Sequence, residues 1–118
     1  MLRFGHTEIF VSNPMKSKEF YENILGFEVE VVQHGGRVVW MKNQGVSFLL
    51  RSNRDTAEAK TYQNASMALV LYTDDLPGAV ADLKNKGLEF KGFDGPETCL
   101  TFCDPDGNWF QLVDPKIA

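Results

Sequence analysis

Two side chains that can do chemistry lie close together near the start of the chain. His6 and Glu8 are two residues apart in a segment, 6–11, whose side chains alternate with the two-residue period of a β-strand. The imidazole and the carboxylate should therefore project from one face of that strand. Such a pair can ligate a metal ion, supply a general base or hydrogen-bond a ligand. We expect His6 to be a neutral imidazole that bonds to a ligand or to a neighbouring side chain.

The last predicted strand, 108–113, carries a second candidate pair. Trp109 and Gln111 are also two residues apart, so an indole ring and an amide should share one face. A face that mixes aromatic rings with a few polar groups is typical of a pocket for small organic ligands. The alternative is that the aromatic side chains fill the interior or a dimer interface.

The elements that must position these residues follow one order in the first half of the chain. Asn13 is a suitable N-cap for a helix that has Pro14 at its first position, and Gly26 is suited to end that helix. Strands are indicated by alternation and by turn residues on either side of the helix. The predicted order is strand 4–11, helix 14–25, and strands 27–32, 37–41 and 46–50.

The second half repeats this order. His6 precedes Ala68 by 62 residues, Gly45 precedes Gly107 by 62, and the helix-ending glycines 26 and 87 are 61 apart. The predicted elements are strand 67–73, helix 76–86, and strands 88–91, 98–103 and 108–113. The sequence therefore predicts a single α+β domain of two βαβββ modules, about 1–51 and 66–115, with a linker at about 52–65.

Composition limits the function classes. The chain has 118 residues, a formal net charge of −4 and 43% hydrophobic residues, so it can form a core but lacks the basic surface of a nucleic-acid-binding protein. The mild excess of acid leaves room for a cationic ligand without selecting one. No apolar stretch approaches the roughly 20 residues of a membrane span, and no signal segment opens the chain. We expect a cytoplasmic protein with no membrane and no nucleic-acid partner.

Several motifs together carry a resemblance to a known family. The sequence resembles the vicinal oxygen chelate superfamily, which includes glyoxalase I, the bleomycin-resistance proteins, the fosfomycin-resistance enzymes and the extradiol dioxygenases. The motifs span nearly the whole chain and are His6-Thr7-Glu8-Ile9-Phe10-Val11-Ser12, Ser17, Phe20-Tyr21, Leu25-Gly26-Phe27, Thr73-Asp74-Asp75-Leu76, Lys86-Gly87 and Asp104-Pro105-Asp106-Gly107-Asn108.

The resemblance implies a fold and a place for a ligand. It implies paired βαβββ modules that form a curved mixed sheet around a central cup, and assembly as a homodimer. Enzymes of this family hold a divalent metal in the cup with one side chain from the first and one from the last strand of each module. The metal then stabilises negative charge that develops on two neighbouring oxygens of the substrate.

The four positions that match this metal site depart from the pattern. They are His6, Leu49, Ala68 and Gln111. Leu49 and Ala68 have no donor atom, and Gln111 stands where the family has a glutamate. A site of His6, Glu8 and Gln111 is conceivable, but four to six ligands are usual. We therefore expect no bound metal, no other cofactor and no catalytic residue.

The leading interpretation is a metal-independent protein that binds a small, partly aromatic ligand in the cup, similar to the bleomycin-resistance branch. The expected ligand-binding residues are His6, Glu8, Phe10, Leu49, Ala68, Tyr72, Trp109 and Gln111. Enzymatic activity is left open: the alternative is a metal-dependent lyase or dioxygenase with a reduced metal site. Two further alternatives are a metal-free enzyme with Glu8 or His6 as general base, and a dimerisation module with a filled cup.

Overall fold

The polypeptide divides into two units. A computed structural model describes residues 1–53 and 59–117, and these belong to the units Met1–Thr56 and Ala57–Ala118. Residues 54–58 of the predicted linker lie outside the described residues. The module boundaries at 51 and 66 stay a prediction.

The first unit has the predicted order of elements. Its elements are β1 (Thr7–Val11), α1 (Pro14–Asn23), β2 (Glu28–Gln33), β3 (Val38–Asn43) and β4 (Val46–Ser52). They form a four-stranded sheet in the order β1-β4-β3-β2, in which β1 is parallel to β4 and the other pairs are antiparallel. Strand β1 is shorter than predicted because its pairing with β4 begins only at Thr7, opposite Phe48.

Helix α1 forms for the predicted reasons and covers one face of this sheet. The side-chain oxygen of Asn13 accepts a hydrogen bond from Lys16 N at 3.2 Å, and Gly26 follows the helix with a φ of +74°. Tyr21 is fully buried, and its ring centroid lies 5.5 Å from that of Phe48 in β4. The opposite face of the sheet is therefore the one that carries His6 and Glu8.

Strand β2 is irregular. Val29 lies opposite Met41 and Val31 lies opposite Trp40, so Glu30 is an extra residue in a β-bulge. The bulge shifts which face each later residue of β2 occupies. Gln33, opposite Val38, comes to lie on the same face as Trp40.

The second unit has one strand fewer than predicted. Its elements are β5 (Leu69–Tyr72), α2 (Leu76–Asn85), β6 (Leu100–Cys103) and β7 (Trp109–Val113), with the sheet order β5-β7-β6. Among the described residues, 88–91 form no strand, so that prediction is wrong. The chain pairs with β6 only from the end of that segment, at 91–94. Lys91 N donates to Thr101 O at 2.8 Å and Thr101 N donates to Gly92 O at 3.0 Å. Phe93 then forms an isolated bridge with Leu100, and Asp94 N donates to Cys99 O at 2.8 Å.

The turn between β6 and β7 is built around a buried carboxylate. Asp104 is 4% exposed, and its Oδ1 accepts hydrogen bonds from the backbone N–H groups of Asp106 and Asn108, both at 2.9 Å. Its Oδ2 accepts a third from Asn108 Nδ2 at 2.8 Å. Gly107 completes the turn with a φ of +83°. The predicted turn is confirmed.

The described residues form two mixed sheets and two α-helices, which makes this a mixed α+β chain, as predicted. Closure of the sheets around a cup stays a prediction. Within residues 1–53 and 59–117, every helix is too short or too polar to cross a bilayer.

Candidate functional site

His6 and Glu8 lie on one face, as the alternation predicts. Glu8 Oε2 is 3.4 Å from His6 Nε2, and Arg51 Nε donates a hydrogen bond to Glu8 Oε1 at 2.5 Å. The parallel pairing of β1 with β4 places Glu8 beside Leu49 and Phe10 beside Arg51, so Arg51 is the diagonal neighbour of Glu8 on the same face. We call His6, Glu8 and Arg51 the ion-pair cluster.

Trp40 of β3 packs on this cluster. Its ring centroid is 4.6 Å from that of His6, with the two planes tilted by 58°. Its indole N–H donates to Gln33 Oε1 at 3.0 Å, which fixes the ring on this face. Leu49 lies between Glu8 and Trp40 in the sheet and is only 2% exposed. We call the face of the first sheet opposite α1 the open face. Its aromatic surface consists of Phe10 and Trp40 and lies beside the ion-pair cluster.

Arg51 lowers the pKa of Glu8. Its hydrogen bond to the carboxylate is the main cause that holds the pKa of Glu8 below the usual range, and His6 adds a smaller effect in the same direction. Glu8 is therefore ionised at neutral pH. A carboxylate with a lowered pKa is a weaker base than an ordinary one, so this environment does not suit a general base that must act near pH 7.

Replacement of Arg51 by methionine should raise the pKa of Glu8 towards that of an ordinary glutamate, because its strongest partner is lost. The carboxyl ¹³C shift of Glu8, followed by NMR through an acid titration, measures this directly. Because the pKa of Glu8 is lower in the folded than in the unfolded chain, the Arg51–Glu8 pair also stabilises the fold in a pH-dependent way. This stabilisation is fully present above the pKa that Glu8 has in the unfolded chain, and it is lost as the pH falls through the lower pKa of the folded state.

Arg37→Met is the matched control, because Arg37 donates to the backbone oxygen of His34 and not to Glu8. It should leave the titration of Glu8 unchanged. An unaltered Glu8 midpoint in the Arg51 variant would contradict the assigned cause.

A cavity lies at the end of the same sheet face. It has a volume of about 390 Å³ and is lined by His34, Arg37, Val38, Arg51 and Ser52. Val38 pairs with Arg51 across β3 and β4, so the cavity continues the face that carries the ion-pair cluster.

The second unit brings Gln111 to partners that are distant in sequence. Gln111 Nε2 donates to the Tyr62 hydroxyl at 2.7 Å and to Asp94 Oδ2 at 3.0 Å. A carboxylate only accepts hydrogen bonds, so Asp94 requires the nitrogen of the amide on its side. Gln111 is 9% exposed, and both hydrogens of its amide are used in this arrangement.

The other predicted binding residues of the second unit are placed very differently from one another. Trp109 is 4% exposed, donates its indole N–H to Ala59 O at 2.8 Å and meets the ring of Tyr62 edge-on, with centroids 6.0 Å apart. Tyr72 is 74% exposed, and Ala68 is half-buried just before β5. A ligand-stacking role for Trp109 stays a prediction.

The four positions that the resemblance assigns to a metal do not make a suitable donor set. Leu49 and Ala68 offer no donor atom, and the amide nitrogen of Gln111 is turned towards Asp94. In the part of the chain that the structure describes, no group of three or more His, Cys, Asp or Glu side chains could hold a metal ion. A divalent cation needs about four to six ligands, so these residues do not fit one.

Sequence reasoning missed Trp40 and Arg51. The sequence predicts a fourth strand that ends at residue 50 and so does not include Arg51, whereas β4 continues to Ser52. Two-residue alternation from Leu49 would have placed Arg51 on the face of Glu8. Trp40 lies on the same face, two residues after Val38, and the alternation of β3 could have placed it there.

Comparisons with known proteins agree with this fold. The chain is similar to TnmS3, an antibiotic-binding protein from Streptomyces sp. CB03234, with 26% identity, a TM-score of 0.69 and coverage of 97% of this chain and 98% of that one. It is also similar to the lactoylglutathione lyase of Agrobacterium tumefaciens, with 16% identity, a TM-score of 0.72 and coverage of 98% and 95%.

A third similar structure is that of a variant of the fosfomycin resistance protein FosX from Listeria monocytogenes, complexed with Mn(II) and dihydroxypropylphosphonic acid. It has 19% identity, a TM-score of 0.73 and coverage of 96% of this chain and 90% of that one. A comparison with curated proteins found no significant match. The family model of the Glyoxalase/Bleomycin resistance protein/Dioxygenase superfamily matches residues 3–112. The chain therefore belongs to the Glyoxalase/Bleomycin resistance protein/Dioxygenase superfamily.

Proposed function

We propose that this chain is a small-molecule-binding protein that works without a metal ion and holds a partly aromatic ligand on the open face of its first sheet. The observation that carries the proposal is the state of Glu8. Its Oε1 accepts a hydrogen bond from Arg51 Nε at 2.5 Å, and its Oε2 lies 3.4 Å from His6 Nε2, so both carboxylate oxygens contact other residues of the ion-pair cluster. A side chain committed in this way orients a polar ligand group more readily than it ligates a metal.

The aromatic surface of this face supports the second half of the proposal. Phe10 is 45% exposed, and Trp40 is held in place by its hydrogen bond to Gln33. A fixed ring beside polar groups binds a flat ligand with little loss of side-chain entropy. The antibiotic-binding neighbour TnmS3 is consistent with a ligand of drug-like size. Leu49 belongs to this face, whereas ligand-binding roles for Ala68, Tyr72, Trp109 and Gln111 of the second unit stay predictions.

The alternative is a metal-dependent lyase or dioxygenase of the same superfamily. It is disfavoured by the two donor-free positions, Leu49 and Ala68, because a divalent ion would lack half of the family's ligands. A metal-free enzyme with Glu8 as general base is disfavoured by the lowered pKa of that carboxyl. Homodimer assembly and a cytoplasmic location stay predictions.

The test begins with a panel of small aromatic compounds, screened by thermal shift in the presence of EDTA. A compound that raises the melting temperature in a saturable way is then titrated against variants. Trp40→Ala should weaken its binding by about tenfold or more, since stacking on an aromatic side chain contributes about 1–3 kcal/mol. Trp40→Phe retains a ring and should lose much less.

Unchanged affinity in Trp40→Ala would contradict the assigned face. The metal-free part of the proposal has its own test, because Mn²⁺, Ni²⁺, Fe²⁺ and Zn²⁺ can be titrated calorimetrically on the wild type and on His6→Ala. Tight metal binding that requires His6 would favour the enzyme instead.

A further inference from the structure

The cavity at the end of the first sheet is positively charged in an acidic protein. Five described residues line it. Two of them, Arg37 and Arg51, carry guanidinium groups, and none of the five is acidic. The chain as a whole has a net charge of −4, so this local excess of positive charge is not a general property of the surface. A cavity of this sign attracts anions.

Both guanidinium groups are held in position by their Nε atoms. Arg37 Nε donates to His34 O at 3.2 Å, and Ser52 N donates to Arg37 O at 2.9 Å, which ties the loop before β3 to the end of β4. Arg51 Nε donates to Glu8. Among the described residues, Arg37 has no acidic partner, whereas Arg51 shares its charge with Glu8.

This manner of attachment suits an anion that offers two neighbouring oxygens. An arginine that is fixed through Nε still has its Nη groups, which match the two oxygens of a carboxylate or phosphate in a bidentate arrangement. Because the guanidinium groups are already oriented, little conformational entropy is lost when an anion binds.

The cavity is continuous with the aromatic surface of the face. Phe10 lies opposite Arg51 across β1 and β4, and Trp40 follows Val38 by two residues on the same face of β3. Two residues along a strand span roughly 6–7 Å, about the length of a benzene ring with its substituent. One ligand can therefore contact a ring of this surface and place a charged group among the arginines.

We propose that Arg37 and Arg51 bind the carboxylate or phosphate group of a small organic anion whose apolar part lies on Phe10 or Trp40. This inference rests on the proposed function and names the chemical class of the ligand. It also assigns Arg37, which lies outside the ion-pair cluster, as the residue that selects an anion over a neutral compound of the same shape.

The experiment is an NMR titration that follows the Nε–H signals of Arg37 and Arg51. The probes are benzoate, its neutral isostere benzamide, and inorganic phosphate. Benzoate or phosphate should shift both signals saturably, and benzamide should not. Whichever anion binds more tightly identifies the charged group. Raising the salt concentration should weaken the binding of either anion.

Arg37→Met should weaken binding of the anion roughly tenfold. Arg37→Lys keeps the positive charge but lacks the paired donors of the planar guanidinium group, and it should show an intermediate loss. Arg3→Met is the matched control: it makes the same change in net charge at a residue that does not line the cavity, and it should bind like the wild type.

Three results would overturn the inference. They are equal binding of benzamide and benzoate, an equal loss in Arg3→Met and Arg37→Met, and no saturable shift with either anion. The first would leave the proposed aromatic binding face standing, since the neutral ring would still be bound. In the other two cases the compound panel and Trp40→Ala decide the proposed function separately.

Discussion

Asp104→Ala is expected to lower the free energy of unfolding by about 3 kcal/mol, enough to shift the folding equilibrium more than a hundredfold. Alanine removes the buried acceptor of three hydrogen bonds, two of them from the half-buried N–H groups of Asp106 and Asn108. Hydrogen bonds to an ionised acceptor contribute more to stability than those between neutral groups. Urea denaturation followed by fluorescence measures the change.

Two variants isolate the cause. Asp104→Asn keeps one acceptor oxygen and should lose about half as much stability. Asp74→Ala makes the same chemical change at a side chain that is 96% exposed and 3.9 Å from Lys116, and it should cost under about 0.5 kcal/mol. If Asp104→Ala were no worse than Asp74→Ala, the carboxylate would not be what holds the β6–β7 turn.

The second large effect is expected from Gln111→Glu, with a loss of about 2–4 kcal/mol at pH 8. The substitution replaces an amide that donates to Asp94 at 3.0 Å with a carboxyl group in the same place. Burial and the charge of Asp94 both raise the pKa of the introduced carboxyl in the folded state. Two carboxylates at this distance repel each other when both are ionised.

The sign of the pH dependence follows from that raised pKa. Above the ordinary glutamate pKa of about 4.3, the folded chain retains a proton that the unfolded chain releases. Stability therefore falls as the pH rises from about 4 through the raised folded pKa. The deficit relative to the wild type should be small at pH 4 and complete at pH 8, as measured by urea denaturation in EDTA.

Gln111→Met provides the control, because it removes the same two hydrogen bonds without adding a charge. Its deficit should be similar at both pH values. A Gln111→Glu protein as stable as the wild type at pH 8 would contradict the arrangement of Gln111 against Asp94, as would a deficit that does not change with pH.

Local chemistry made much of the fold predictable. Asn13 and Gly26 act on backbone groups within a few residues of themselves, so the bounds of α1 could be predicted to within two residues. The strand predicted at 88–91 failed because a strand depends on a distant partner. The segment that pairs with β6 begins only at Lys91 and continues to Asp94, so the pairing lies later in the chain than the predicted strand.

The candidate site was predictable only in part, for the same reason. Alternation was enough to place His6 and Glu8 together, but Arg51 is 43 residues from Glu8 in the sequence. The partners of Gln111 are 49 and 17 residues away, at Tyr62 and Asp94. No periodicity of a single strand contains that information, because it depends on which strands and loops pair.

The extra residue at Glu30 determines which changes of length strand β2 can tolerate. Because Glu30 has no opposite residue on β3, its loss would close the bulge and leave Val31 opposite Trp40 and Gln33 opposite Val38. Gln33 would then still accept the indole N–H of Trp40. A residue added between Val31 and Gln33 would instead turn Gln33 towards the helix-covered side, because side chains alternate along a strand. Strand β2 can therefore lose one residue without disorienting the indole ring, but it cannot gain one there.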